Sequence, residues 1–156
     1  AVTGHLVLST LHTNDAPSAF SRMVDMGAEP FLVAASVRAV LAQRLVRRVC
    51  PSCSRTRPVT PSELSMLGLP GDERFDIRQG SGCDECTNGY RGRMGIYELL
   101  TMDDTIREMI MAGATFEQIR DHAVEKTGYQ SMRSDGIEKI RQGLTTAEEI
   151  GRVTIE

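Results

Sequence analysis

The sequence predicts an α/β chain in three parts: an α/β segment over residues 1–49, a small four-cysteine lobe over 50–100 and an α-helical region over 101–156. Three observations predict it. An apolar, β-favouring run from His5 to Thr10 precedes two stretches of helical pattern. All four cysteines fall between Cys50 and Cys86, in a stretch rich in Gly, Pro and Ser. After Met102, apolar residues recur at three- and four-residue steps.

Taken in order, His5–Thr10 reads as a central strand with an imidazole at His5 and another just beyond it at His12. The two histidines are an odd number of residues apart, so on an uninterrupted strand they point to opposite faces and do not act as one pair. Asp15 caps a helix with Pro17 in its first turn, an apolar stripe of Phe20, Met23 and Val24, and Gly27 at its end. A second helix starts at Pro30 and continues through "FLVAASVRAVLAQ", after which "RLVRRV" suits a strand leading out. Within the lobe, "PSELSML" reads as a short helix and "RMGIYELL" as a strand. Beyond it, Ile106, Met109 and Ile110, then Phe116, Ile119 and Ala123, then Ile137, Ile140 and Leu144 each share a helix face. Thr145 with Glu148 forms a capping box for a last helix.

The net charge of −3 conceals a segregation of charge. Between Glu29 and Glu63 there is no acidic residue but there are six arginines: Arg38, Arg44, Arg47, Arg48, Arg55 and Arg57. Such a stripe faces phosphates, an acidic neighbouring subunit or solvent, and Arg47 and Arg48 are candidates for pairing with the acidic helices that follow. With 4% aromatic residues and no Trp, the chain lacks stacking platforms for single-stranded nucleic acid. No apolar run approaches the length of a membrane span, and the chain opens without the charged region of a signal peptide, as expected of a soluble segment whose beginning lies upstream.

The cysteines form two pairs, "CPSC" (Cys50, Cys53) and "CDEC" (Cys83, Cys86). Each CxxC turn presents two thiolates on one side of a tight knuckle, so two knuckles supply four ligands for a closed tetrahedral site. Structural zinc suits soft thiolates with no open position; a four-thiolate iron site and a metal-free form remain as alternatives. Disulfides need an oxidising compartment, and a redox CxxC needs a thioredoxin-like βαβ pattern, which is missing. Because large apolar residues are few between 50 and 90, the lobe is expected to depend on metal for its closure.

Several motifs in fixed order, "TGHLVLSTLHTNDA", "DMGAEPFLVAASVRAVLAQRLVRRVCPSC", "GCDEC", "GYRGRMGIYELL" and "IRQGLTTAEEI", resemble the C-terminal part of a type II secretion or type IV pilus assembly ATPase. The resemblance covers essentially the whole chain. It implies a RecA-like ATPase core ending near residue 49, hexamer assembly, and work at the cytoplasmic face of the bacterial inner membrane, where ATP hydrolysis with magnesium moves membrane platform subunits that assemble pilin-like filaments. It further implies that the opening run is the family's His box, with at least one of His5 and His12 near nucleotide, and makes Arg44 a candidate contact to a phosphoryl group. The four cysteines resemble the type II secretion and pilus extension branches rather than the retraction branch.

No GxxxxGK[ST] phosphate loop is present, so this segment by itself is expected not to hydrolyse ATP. Two readings of other classes compete. One is a stand-alone zinc-ribbon module on nucleic acid, which the acidic net charge and scarce aromatics oppose, so no nucleic-acid partner is expected. The other is a structural adaptor whose helices dock a partner without nucleotide.

Overall fold

The computed structural model describes residues 4–154. Helices α1 (Ser18–Asp25) and α2 (Pro30–Ser36) are followed by strand β1 (Ala39–Val49), β2 (Ser54–Pro58), α3 (Pro61–Leu67), β3 (Asp76–Gly80) and β4 (Tyr90–Thr101), and then by four helices, α4 (Asp104–Met111), α5 (Phe116–Lys126), α6 (Met132–Arg141) and α7 (Ala147–Val153). β1 pairs with β4, and β2 pairs antiparallel with β3, with Ser54 opposite Gly80 and Pro58 opposite Asp76. The chain forms two compact units, each assembled from separated stretches: residues 1–42 with 98–131, and 43–97 with 132–156.

In the first unit, Asp15 starts α1 as its type requires, its Oδ1 accepting from the Ser18 N–H at 2.8 Å. Phe20 is buried in a cluster with Val33, Leu100, Ile106, Ile110 and Ile119, and Met23 and Val24 pack against it. α1, α2, α4 and α5 thus turn their apolar faces to one core. Glu98, at the end of β4, is buried and accepts from the Ala16 N–H at 2.5 Å. Asp103 caps α4 through the Ile106 N–H at 2.6 Å and also meets His122 Nε2 of α5 at 2.8 Å.

In the second unit, β2 and β3 lie on either side of α3 in the chain, and α3 packs on α7 while β3 packs on α6. Val59, Leu64, Leu67 and Ile77 of the lobe are buried, as are Ile140 and Ile150 of those two helices. Helices α6 and α7 thus complete the apolar core of the lobe, which the sequence does not foresee. α3 carries a reciprocal capping box, in which Thr60 Oγ1 accepts from the Glu63 N–H at 3.3 Å and Glu63 Oε2 accepts from the Thr60 N–H at 2.9 Å. Thr60→Ala should cost about 1 kcal/mol in a urea melt, the usual value of a lost N-cap; a midpoint equal to that of the parent would show the box contributes nothing.

Three expected elements differ from those observed, and two observed strands are not foreseen by the sequence. Residues 5–13 carry no regular secondary structure, and Leu6 and Leu8 are 81% and 90% exposed. A central strand takes its hydrogen bonds from neighbouring strands, and among the described residues none pairs with this run. α2 stops at Ser36 rather than running through Gln43, because β4 recruits the following residues as β1. Helix propensity in "AVLAQ" yields to that pairing. β2 and β3 went unread, since "SRTRP" and "DIRQG" have little β-branched or aromatic character. Finally, the last helix is capped one residue later than expected: Thr146 Oγ1 accepts from the Glu149 N–H at 3.4 Å, while the Thr145 hydroxyl donates to the Arg47 carbonyl at 2.9 Å.

Candidate metal centre

The first CxxC turn follows directly from the end of β1, and the second lies in the loop between β3 and β4. The ligand sulfurs of Cys50, Cys53, Cys83 and Cys86 all lie within 4.8 Å of one another. Cys50 Sγ is 3.9 Å from Cys83 Sγ, and Cys86 Sγ is 3.7 Å from both Cys53 Sγ and Cys83 Sγ. These separations are far above the ~2.05 Å of a disulfide, and all four cysteines are free thiols. They match the edge of a tetrahedron, about 3.8 Å, drawn by sulfurs about 2.3 Å from a central zinc. The donor set therefore fits a tetrahedral thiophilic ion in both chemistry and size.

The protein holds this cluster by its own hydrogen bonds. The Cys50 N–H donates to the Gly89 carbonyl at 2.8 Å, and the Ser81 N–H and hydroxyl donate to the Cys53 carbonyl at 3.3 and 3.0 Å. Burial raises the Cys50 thiol, but the N–H groups of Cys53 and Ser52 outweigh it and bring it down to about 7. For Cys83 the Glu85 N–H lowers, while desolvation and the three other sulfurs together raise it to about 12. Four sulfurs crowded together resist becoming four thiolates, a repulsion that a bound dication relieves.

The other candidates stand apart from the cysteines in sequence and in setting. His5 and His12 are exposed on the irregular opening segment. His12 lines an open pocket of about 310 Å³ with Thr13, Ser18 and Arg22 beside the start of α1. Arg44 is exposed on β1. The basic stripe divides by partner: Arg57 forms a two-pronged ion pair with Glu63 at 2.7 and 2.9 Å, and Arg47 turns to α7.

As expected, Arg47 pairs with one of the acidic helices, and the acid it meets there is a buried one that the sequence does not single out. Glu149 is fully buried. Its carboxylate accepts from the Arg47 backbone N–H at 2.7 Å, from Arg47 Nε and Nη2 at 3.0 and 2.9 Å, and from Arg152 Nη2 at 3.0 Å. Burial raises its pKa, but the hydrogen bonds from Arg152 and Arg47 dominate and hold it down at about 2. The Arg47 guanidinium also lies 4.1 Å from the centre of the Tyr90 ring, whose hydroxyl meets Thr146 Oγ1 at 2.9 Å. The available signal was the "TTAEE" run, in which either Thr can cap and either Glu can turn inward.

Fold and site together define a mixed α/β protein with a four-cysteine, metal-type site seated on a helix-backed lobe. The Type II/IV secretion system protein family matches residues 1–152, and the chain belongs to that family. Similar proteins include the type II secretion system protein E of Pseudomonas aeruginosa, 46% identical over 157 residues that cover 100% of this chain and 31% of that protein. The type IV pilus assembly ATPase PilB of Myxococcus xanthus is 45% identical, over 96% of this chain and 27% of its own length. PilB of Thermus thermophilus is 47% identical, over 100% of this chain and 18% of its own. The chain thus spans about a third or less of these relatives. Among the described residues, no helix is long and apolar enough to cross a membrane.

Proposed function

We propose that this chain is the C-terminal portion of a secretion ATPase that works as a homo-hexamer at the cytoplasmic face of the inner membrane, coupling ATP hydrolysis to pseudopilus assembly by membrane platform proteins in type II secretion. The observation that carries the reading is the family match over residues 1–152, with relatives named as secretion or pilus ATPases. A pilus extension motor is the second reading, favoured by the two PilB relatives at 45% and 47% identity.

The division of labour follows from what the chain carries. With no phosphate loop in it, ATP and magnesium are held mainly by other segments of the whole protein. This chain contributes His5, His12 and Arg44 toward nucleotide, as hydrogen-bonding and charge-stabilising groups. Support for His12 is its polar pocket shared with Arg22; support for Arg44 is its exposed place on a strand free of acidic residues. The four cysteines hold structural zinc, which cross-links two knuckles and does no chemistry.

In the full-length protein, His12→Ala and Arg44→Ala should each lower ATP turnover more than hexamer assembly. Parental turnover in both removes these residues from the nucleotide site. The system is decided in the native host, where deletion should abolish export of folded proteins while leaving surface pili intact; loss of pili with normal export supports the pilus reading instead.

A further inference from the structure

The loop that carries the second cysteine pair is closed at its base by two glycines. A Cβ built on Gly80 would lie 2.6 Å from the Gly89 Cα, and one built on Gly89 would lie 2.5 Å from the Gly80 carbonyl oxygen. Backbone meets backbone here, and only residues without side chains allow that approach. Gly80 precedes Cys83 by three residues and Gly89 follows Cys86 by three, so the contact forms a neck with both thiols at its head. The Gly89 carbonyl that takes part in the neck also accepts the Cys50 N–H at 2.8 Å. One peptide group therefore closes the second knuckle and seats the first beside it.

A second tie spans the knuckles near the sulfurs. Ser52 and Glu85 occupy the same third position of their respective CxxC turns. The Ser52 hydroxyl donates to Glu85 Oε2 at 2.7 Å, and Arg91 Nη1 donates to the same oxygen at 2.8 Å. Both charged side chains are more than half exposed, so this tie contributes less than the neck.

We infer that Gly80 and Gly89, with the Ser52–Glu85 tie as a weaker partner, are positioning residues of the metal centre: they set the spacing of the four sulfurs from the protein side, so the ion enters a site already of its size. This rests on the reading of the cysteines as a zinc site. The backbone contact fixes where Cys83 and Cys86 stand, and the Gly89 carbonyl fixes where Cys50 stands relative to them. A methyl group at the neck forces the two arms apart and moves one sulfur pair from the other. Outer groups of this kind change metal affinity without touching the metal.

The test uses the full-length protein and its Gly80→Ala, Ser52→Ala and Gly71→Ala variants. Gly71 has open space around the position of a Cβ and serves as the control. Zinc affinity is read by chelator competition, and thiolate coordination by the absorption bands of bound cobalt. Gly80→Ala should weaken zinc roughly tenfold to a hundredfold and distort the cobalt spectrum while the helical circular dichroism is retained. Ser52→Ala should weaken it roughly threefold, as expected of an exposed tie, and Gly71→Ala not at all. If the parent binds no stoichiometric zinc or cobalt, the zinc reading itself fails. If the parent binds tightly and Gly80→Ala binds equally well with an unaltered spectrum, the positioning role alone is overturned. Should Gly80→Ala not fold, Ser52→Ala decides: parental affinity and spectrum there overturn the inference.

Discussion

Glu149→Ala should destabilise the unit built from residues 43–97 and 132–156 by about 3 kcal/mol. The carboxylate is fully buried and accepts five hydrogen bonds from Arg47 and Arg152, one of them from the Arg47 backbone. Truncation leaves that N–H without its acceptor and two guanidinium groups beside a cavity. Both guanidinium groups keep contact with water, being 40% and 56% exposed, so the cost comes chiefly from the orphaned N–H and the cavity. Glu149→Gln should lie between the two, since its amide oxygen replaces some of the acceptors without the charge. Urea denaturation of the three proteins checks the order, and a Glu149→Ala midpoint equal to the parent's would overturn this account of α7. The same group sets an acid response. Its pKa is lowered in the fold, from 4.5 to about 2, so its contribution is complete above 4.5 and is lost as pH falls toward 2. Glu63, held at about 2 chiefly by the Arg57 hydrogen bonds, has the same sign and window. Stability of this unit should therefore decline between about pH 4.5 and 2, and Glu149→Ala should flatten that decline.

If the cysteines hold zinc as proposed, removing the metal with a chelator, or Cys83→Ser, should abolish tight binding of one zinc per chain and loosen the two knuckles about the spacing that their own hydrogen bonds set, while the lobe behind them stays folded. The location of the effect follows from packing. Leu64, Leu67 and Ile77 are buried, and α3 and β3 pack on α7 and α6, so apolar contact persists after the ion has gone. The segments next to the cysteines lack that backing: Ser81, Gly82, Cys83, Asp84 and Glu85 are exposed. Hydrogen exchange should accelerate at residues 50–53 and 81–89 and change little at 61–67 and 76–79. Acceleration spread evenly from 54 to 80 would instead mean that metal closes the whole lobe.

Local chemistry was the legible part of this chain. Asp15, Pro30 and Pro61 mark the starts of their helices because capping and proline geometry act over three or four residues, well within reach of sequence reading. The four cysteines could be grouped because two CxxC turns can satisfy one ion however the chain travels between them. Pairings made at a distance were not legible. β2 and β3 have polar sequences that are strands only because each lies beside the other, and "AVLAQ" is a strand only because β4 is there. Arg47 and Glu149 are 102 residues apart, and although Arg47 is a candidate for pairing with the acidic helices, nothing in the sequence singles out Glu149 as the acid it meets. The run from His5 to Thr10 shows the converse, since among the described residues no strand pairs with it and it stays irregular.

The interleaving of the two units has a consequence for how the polypeptide matures. The stretch from Gln43 to Tyr97 leaves the ribosome well before α6 and α7, yet Val49 N–H donates to the Leu144 carbonyl and Arg47 awaits Glu149. Until the final helix emerges, β1, α3 and β3 wait with their greasy sides unshielded, a period in which nascent chains become clients of chaperones. A premature stop shortly before Ala147 would leave that vulnerable interval permanent, because α7 is what shields this unit.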